Sequence, residues 1–114
     1  MNTTSTACIA DRHCRPCEGG VAPLAPPVVA DLLEQLDGWA LQDAMIARTF
    51  RFKNHYETMA FVNAVAWVSH REDHHPEMVV GYAECTVRYW THAIGGLSDN
   101  DFICAAKVDR LLAA

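Results

Sequence analysis

The sequence has no apolar run long enough to cross a membrane. A spanning helix needs about 18 or more consecutive apolar residues, and no stretch approaches that length. The opening residues, MNTTSTACIADRHC, also lack the basic region and following apolar region of a secretory signal. We therefore expect a cytoplasmic protein with no membrane contact.

Basic residues are few and scattered. The chain has 9 Lys and Arg against 14 Asp and Glu, which gives a net charge of −5 with His neutral. Nonspecific nucleic-acid binding depends on neutralising phosphates with Lys and Arg. The charge balance therefore argues against a nucleic-acid partner.

The cysteines do not supply a complete zinc site, because the CRPC pair has no second CxxC partner. An odd number of cysteines without an export signal favours reduced thiols. Two cysteines in apolar stretches are expected to be small core residues. The other three are expected to be incidental, with metal binding or redox chemistry left open. The first group is Cys85 and Cys104, and the second is Cys8, Cys14 and Cys17.

A chain of 114 residues predicts one domain. Residues 1–24 are rich in Thr, Ser, Gly and Pro and lack periodicity, so we expect a flexible N-terminal extension. Residues 25–114 then form the domain. Within it, apolar spacing predicts a helix that opens at APPVV and ends at Gly38, a second helix capped by Asn54, and a third capped by Ser98.

Two hairpins separate these helices, with turns expected near Asp43–Ala44 and near Ala83–Cys85. The element order is therefore α-β-β-α-β-β-α. Two hairpins can join into a four-stranded antiparallel sheet, and three amphipathic helices can cover one of its faces, which is an α+β fold. Met45 and Trp90 would lie on the other face, so we expect a subunit contact through that face or a strand edge.

The stretch HREDHHP, residues 70–76, holds half of the six histidines. If the second hairpin turns between residues 84 and 85, opposed positions sum to about 169, and His92 lies across from Glu77. His74 and His92 would then meet at one end of the sheet. Asp101, in the first turn of the last helix, can reach the same end.

Three interpretations of this cluster stay open. His70 and His74 have the i,i+4 spacing of zinc ligands, but the HExxH signature is absent. Alternatively, the histidines are a polar helix end that interacts with the helix dipole. In the third interpretation, neighbouring imidazoles supply a proton donor and a proton acceptor. The cluster has no Ser or Cys nucleophile, so that chemistry would be elimination, hydration or tautomerisation.

The pattern HREDHHPEMVVGY, followed by His92 and Asp101, resembles the pterin-4a-carbinolamine dehydratase family. THAIGGLSDNDFICAAKVD is similar to the C-terminal stretch of that family, and the resemblance covers residues 28–112. It implies an α+β fold of four antiparallel strands and three helices, assembled as a homodimer or homotetramer. It also implies that neither a metal nor an organic cofactor is needed.

The activity implied by the resemblance is dehydration of 4a-hydroxytetrahydropterin to quinonoid dihydropterin. This step recycles tetrahydropterin for an aromatic amino-acid hydroxylase, typically phenylalanine hydroxylase. The alternative is a non-catalytic binding or regulatory partner. Some members stabilise a homeodomain transcription factor dimer in animals, and some bacterial dehydratase-like proteins serve in assembly.

Carried over by motif, the resemblance places the catalytic histidines at three positions and the pterin-binding residues at five. His74 would be the principal acid/base group, His92 its partner at the leaving hydroxyl, and His75 the residue that orients the pterin. Asp101 would set the tautomer or charge of a neighbouring histidine. His70 stands where many members carry Glu, which leaves its role open. The pterin-binding positions are His70, Trp39, Asp73, Pro76 and Asp101.

Overall fold

Three helices and four strands make up the described part of the chain, residues 9–16 and 21–112 of this computed structural model. The element order confirms the predicted α-β-β-α-β-β-α arrangement. The helices are α1 (Pro26–Glu34), α2 (His55–Glu72) and α3 (Asp99–Arg110), and the strands are β1 (Ala40–Gln42), β2 (Met45–Arg51), β3 (Glu77–Val80) and β4 (Glu84–Tyr89). Ile9–Asp11 and His92–Ile94 form short 3-10 turns. No helix in residues 9–16 and 21–112 is both long and apolar enough to span a membrane.

The two hairpins join through their longer strands, which gives the antiparallel order β1-β2-β4-β3. Strands β1 and β3 are therefore the two edges of the sheet. The turn of the first hairpin falls at Asp43 and Ala44, as predicted, and Asp43 takes a positive φ of 53° there. Cβ sterics make that conformation uncommon outside Gly, Asn and Asp, so an aspartate suits the turn.

One face of the sheet carries the core. Alternate residues of β2 and β4 point to it, and all three helices contribute apolar side chains over it. The outer face is polar, with a Thr49–Thr86 hydroxyl contact of 2.7 Å and an Arg88–Glu77 ion pair of 2.9 Å. The core residues include Ile46, Phe50, Cys85, Val87 and Tyr89 from the sheet and Val29, Phe61, Val65, Phe102, Cys104 and Val108 from the helices.

Two boundaries differ from the sequence expectation. Helix α1 ends at Glu34, so Gly38 lies beyond it and takes its φ of 84° in the connection to β1. In the second hairpin Glu77 lies opposite Arg88 and not opposite His92. The offset is even, so every side chain keeps its predicted face. His92 therefore lies past the end of β4, in the 3-10 turn.

Candidate active site

The end of α2 places His74 at the edge of the core. The helix stops at Glu72, and Asp73 takes a left-handed conformation with φ 52° and ψ 44°. That residue reverses the chain, and the N–H of His74 donates to the carbonyl of Ser69 at 3.1 Å. Because His74 has left the helix, it no longer shares a helical face with His70. The i,i+4 geometry behind the zinc interpretation is therefore absent.

His74 is held by a buried carboxylate. Its Nε2 lies 2.6 Å from Oδ1 of Asp101, whose side chain is fully buried in the first turn of α3. A carboxylate only accepts hydrogen bonds, so Nε2 carries the proton in this pair. The unprotonated lone pair of a neutral His74 is then on Nδ1. Asp101 thus selects the tautomer of His74.

The second oxygen of Asp101 is also saturated. Oδ2 accepts from the hydroxyl of Thr91 at 2.8 Å and from the backbone N–H of Ser98 at 3.0 Å. Ser98 is the N-cap of α3, and Asp101 is its predicted capping partner. The Ser98 hydroxyl in turn donates to Thr91 at 2.7 Å. One carboxylate therefore caps a helix and orients a histidine.

A buried tyrosine fixes the plane of the His74 ring. The two rings are stacked, with centroids 5.8 Å apart and an interplanar angle of 9° against Tyr89. The Tyr89 hydroxyl contacts Ser69 at 3.0 Å, inside the core. Burial raises the pKa of Tyr89 well above its usual range, so this group stays neutral. Tyr89 therefore orients His74 without exchanging protons with it.

Two further histidines, His75 and His92, lie beside His74. His75 and His92 are stacked with centroids 5.7 Å apart, and Trp90 packs on His92 at 4.4 Å. Both histidines are exposed, whereas the His74 side chain is only 12% exposed. The accessible imidazoles of His75 and His92 therefore lie next to the shielded imidazole of His74. Trp90 was not among the predicted site residues, and the expectation that it lies on the outer face of the sheet is wrong: it follows the end of β4 and packs against the core.

These residues line one cavity of about 510 Å³, within the common size range of small-molecule sites. His74, His75 and His92 converge on it, as the sequence predicted, and Asp101 lies behind His74. Asp73 is also in the wall. The remaining lining comes from Cys14, Arg15, Pro16, Arg71, Glu72, Trp90, Thr91, Ala93 and Asn100.

Three predicted residues lie elsewhere. Trp39 is buried in the core, where its Nε1 donates to Asp109 at 2.8 Å, and its ring contacts Tyr89, which stacks on His74. His70 packs on Trp67 and, with Pro76, lines a different cavity of about 320 Å³. Asp73, His74 and His75 line both cavities, so the cavity of His70 and Pro76 adjoins that of the three histidines, whereas Trp39 lines neither.

The cysteines behave as two different groups. Cys85 and Cys104 are buried in the core, as predicted. The Cys14 thiol lies 3.6 Å from the Cys104 thiol, and this contact together with burial raises the pKa of Cys104. Cys8 and Cys17 fall outside the described residues. Among residues 9–16 and 21–112, no three His, Cys, Asp or Glu side chains are grouped closely enough to hold a metal ion.

Comparison with known proteins identifies close relatives. The family model described as "Pterin 4 alpha carbinolamine dehydratase" matches residues 22–111. A Nitrosomonas eutropha protein, provisionally named a pterin-4-alpha-carbinolamine dehydratase, is 67% identical over 96% of this chain and 97% of its own. Among solved structures, the "transcriptional coactivator/pterin dehydratase from Brucella Melitensis" is 29% identical with a TM-score of 0.77, over 80% of this chain and 99% of its own.

A second solved structure is more distant. It is described as a "pterin dehydratase-like protein" that is "a RuBisCO assembly factor in the alpha-carboxysome", and it is 22% identical with a TM-score of 0.55. The match covers 67% of this chain and 88% of that one. At that level of identity the similarity concerns the fold alone.

Proposed function

Because the chain belongs to the pterin 4 alpha carbinolamine dehydratase family, we propose that it is a hydro-lyase that converts 4a-hydroxytetrahydropterin into quinonoid dihydropterin and water. One observation supports the assignment most directly. A shielded histidine whose tautomer is set by a buried carboxylate opens on the same cavity as two accessible histidines. Such a set can remove one proton and deliver another.

The reaction needs two proton transfers. The bond between C4a and its hydroxyl breaks, a proton joins the departing oxygen, and the N5 proton is removed as the double bond between C4a and N5 forms. His74 takes the N5 proton, because Asp101 stabilises the imidazolium that results. His92, protonated, gives its proton to the leaving hydroxyl.

His75 then has a binding role. Its ring is stacked on that of His92 at an interplanar angle of 25°, so the face of His75 turned away from His92 is the flat surface left for a ligand. A planar pterin ring can stack on such a surface, as aromatic groups do in offset arrangements. Proton exchange between the histidines or with solvent restores His74 and His92 for the next turnover.

The test is the dehydration of chemically generated 4a-hydroxytetrahydropterin. His74→Ala and His92→Ala should each lower kcat by on the order of 100-fold or more, the usual contribution of a general acid or base. His55→Ala is the matched control, because His55 lies at the start of α2 and hydrogen-bonds the carbonyl of Tyr82. Full activity in both cavity variants would contradict the assignment.

The physiological setting is proposed on the same basis. Recycling of tetrahydropterin for an aromatic amino-acid hydroxylase, such as phenylalanine hydroxylase, is the process that generates this substrate. We place it in the cytoplasm, since Cys14, Cys85 and Cys104 are free thiols. No metal or organic cofactor enters the proposed steps.

The competing function is that of a non-catalytic binding partner. The Brucella protein is described as a coactivator as well as a dehydratase, and that description favours keeping this hypothesis. Pterin binding separates the two functions. Saturable quenching of Trp90 fluorescence by a dihydropterin, absent in Trp90→Phe, supports the enzyme. Absence of pterin binding would support the binding partner.

A further inference from the structure

An N-terminal strap, residues 9–16, lies along α3 and reaches the candidate active site. Ile9 and Ala10 are buried, and Lys107 Nζ donates to the carbonyl of Ala10 at 2.8 Å. Arg110 pairs with Asp11 at 2.6 Å, and Arg12 pairs with Asp99 at 3.4 Å. The sequence predicts a flexible extension here, whereas residues 10–12 make these three contacts with α3.

Side chains hold the last part of the strap at the cavity. The N–H of Cys14 donates to Glu72 at 2.7 Å. The N–H of Arg15 donates to Oδ1 of Asn100 at 3.0 Å, and Nδ2 of Asn100 donates back to the carbonyl of Arg15 at 2.5 Å. This amide therefore pairs with the strap backbone as a neighbouring β-strand would. These hydrogen bonds fix the backbone of Arg15, and its side chain remains available to bind a ligand.

Arg15 and Arg71 bring two positive charges to the cavity of the three histidines. Both side chains are exposed, and neither guanidinium makes a hydrogen bond or ion pair within the described part of the chain. Of the carboxylates in the wall, Glu72 is already engaged by His13 and lies 3.7 Å from Lys107. With Glu72 paired to Lys107, Asp73 is the other carboxylate of the wall that faces the two arginines, in a chain whose net charge is −5.

The strap is an addition to the family domain. The family match begins at residue 22, after the strap ends. The Nitrosomonas eutropha relative matches 96% of this chain, a span long enough to take in the strap. The match to the Brucella structure takes in 99% of the Brucella chain but only 80% of this one. A wall of the cavity therefore comes from a segment outside the family match.

We propose that Arg15, assisted by Arg71, binds an anionic group on the side chain of the pterin. The substrate of this protein is then a 4a-hydroxytetrahydropterin that carries a phosphate or a carboxylate, and Arg15 determines that specificity. Guanidinium is suited to this task because its planar donors match both anions in bidentate geometry. The inference rests on the proposed function for the identity of the ring and on the two free arginines for the charge.

The test compares substrates that differ only in side-chain charge. Three 4a-hydroxytetrahydropterins would be assayed, with a neutral side chain, a phosphate monoester and a carboxylate. The wild-type kcat/KM should be on the order of tenfold higher for at least one anionic substrate, the effect of a charge-assisted hydrogen bond. The anionic substrate with the higher kcat/KM relative to the neutral one shows whether phosphate or carboxylate is preferred. The KM for that substrate should rise with salt.

Variants assign the effect to the strap. Arg15→Gln should remove the preference by raising the KM of the anionic substrate, with a much smaller effect on the kcat/KM of the neutral substrate. Arg12→Gln is the matched control, because Arg12 lies on the same strap, pairs with Asp99 and is not part of the cavity wall. Arg71→Gln should weaken the preference in part. Equal kcat/KM for all three substrates, or an equal loss for all three in Arg15→Gln, would overturn the proposal.

A binding measurement separates this inference from the dehydratase assignment. Calorimetric titration with neutral and anionic 7,8-dihydropterins reads charge selectivity without turnover. Selective binding that depends on Arg15, with no turnover of any substrate, would refute the dehydratase activity and support the anion site. Turnover without charge-selective binding would support the dehydratase activity and refute the anion site. Absence of both selectivity and turnover would refute the two together.

Discussion

The pairing of His74 with Asp101 is the residue-scale feature on which the proposed chemistry depends. Position 101 could be chosen from the sequence because Ser98 and its acidic partner predict a helix start, and the histidine-proline stretch predicts a helix end. The structure adds that both carboxylate oxygens are used and that the carboxylate is fully buried. A substitution there should therefore affect both stability and chemistry.

Asp101→Asn should lower kcat by on the order of 100-fold while changing KM little, because an amide can present a donor to Nε2 and select the wrong His74 tautomer. It should also lower the free energy of unfolding by about 1–3 kcal/mol, since buried donors lose a charged acceptor. Steady-state kinetics and urea unfolding measure the two effects. Asp99→Asn, an exposed neighbour in the same helical turn, is the control. A variant with reduced stability and normal kcat would leave Asp101 a structural role only.

His70 and His75 illustrate what motif spacing could not resolve. Both belong to one stretch of sequence, yet α2 ends between them at the left-handed Asp73, and His75 lines both cavities whereas His70 lines only the smaller one. The direction of a side chain after a helix depends on the conformation of a single residue. The periodicity of apolar residues does not predict that conformation, so both histidines were assigned to one site from the sequence.

Substitution of these two histidines should therefore have unequal effects. His75→Ala should lower kcat/KM on the order of tenfold through loss of ring stacking. His70→Ala should leave kcat/KM unchanged, because its ring packs on Trp67 outside the cavity. Both values come from the dehydration assay. A large loss of kcat/KM in His70→Ala would show that the pterin occupies the smaller cavity, because His70 lines only that one.

At the scale of elements, the helices and strands could be predicted and the strap could not. Periodic apolar residues and caps at Asn54 and Ser98 mark the helices, because each element must bury one face. The strap has no periodic pattern of apolar residues. Its attachment depends on Glu72 and Asn100, two polar side chains whose backbone partners lie far away in sequence. Composition alone therefore predicted a flexible extension.

Glu72 makes attachment of the strap sensitive to acid. Burial raises the pKa of this carboxyl, but the N–H of Cys14, His13 and Lys107 outweigh that effect and leave the pKa lowered. The folded state then binds fewer protons than the unfolded state below about pH 4.3, the ordinary glutamate value. Its stabilising contribution is complete above that pH and is lost as the pH falls through the lowered pKa.

The thermal midpoint should show this dependence. As the pH falls below about 4.3, the wild-type Tm should drop more steeply than that of Glu72→Gln, which has no carboxylate to protonate. Above that pH Glu72→Gln should be the less stable protein. Calorimetric scans across the acidic range make the comparison, with Glu34→Gln, an exposed residue at the end of α1, as the control. Parallel curves for wild type and Glu72→Gln would contradict the assigned role.

At the scale of the whole molecule, the sheet order decides which surfaces are left open. Antiparallel hairpins could be predicted from alternation, and their joining through β2 and β4 follows because these are the longer strands with matching apolar faces. The exact pairing in the second hairpin could not be predicted, since Gly81, Tyr82 and Ala83 form a connection without a distinctive turn sequence. The consequence is that β1 and β3 are edges with unpaired backbone groups.

The open edge of β3 is where we expect a second copy of the chain to bind. Val79 and Val80 are 52% and 42% exposed on this strand, and an exposed apolar edge invites pairing with another strand. In a symmetric dimer the same edge meets itself, so a lysine on each copy introduces repulsion. Val79→Lys should therefore shift the mass measured by light scattering toward the monomer. Leu41→Lys, at an equally exposed position on the opposite edge, should not. A wild-type monomer, or dissociation caused only by Leu41→Lys, would rule out the β3 edge, because its unpaired backbone would then be satisfied by water and not by a second chain.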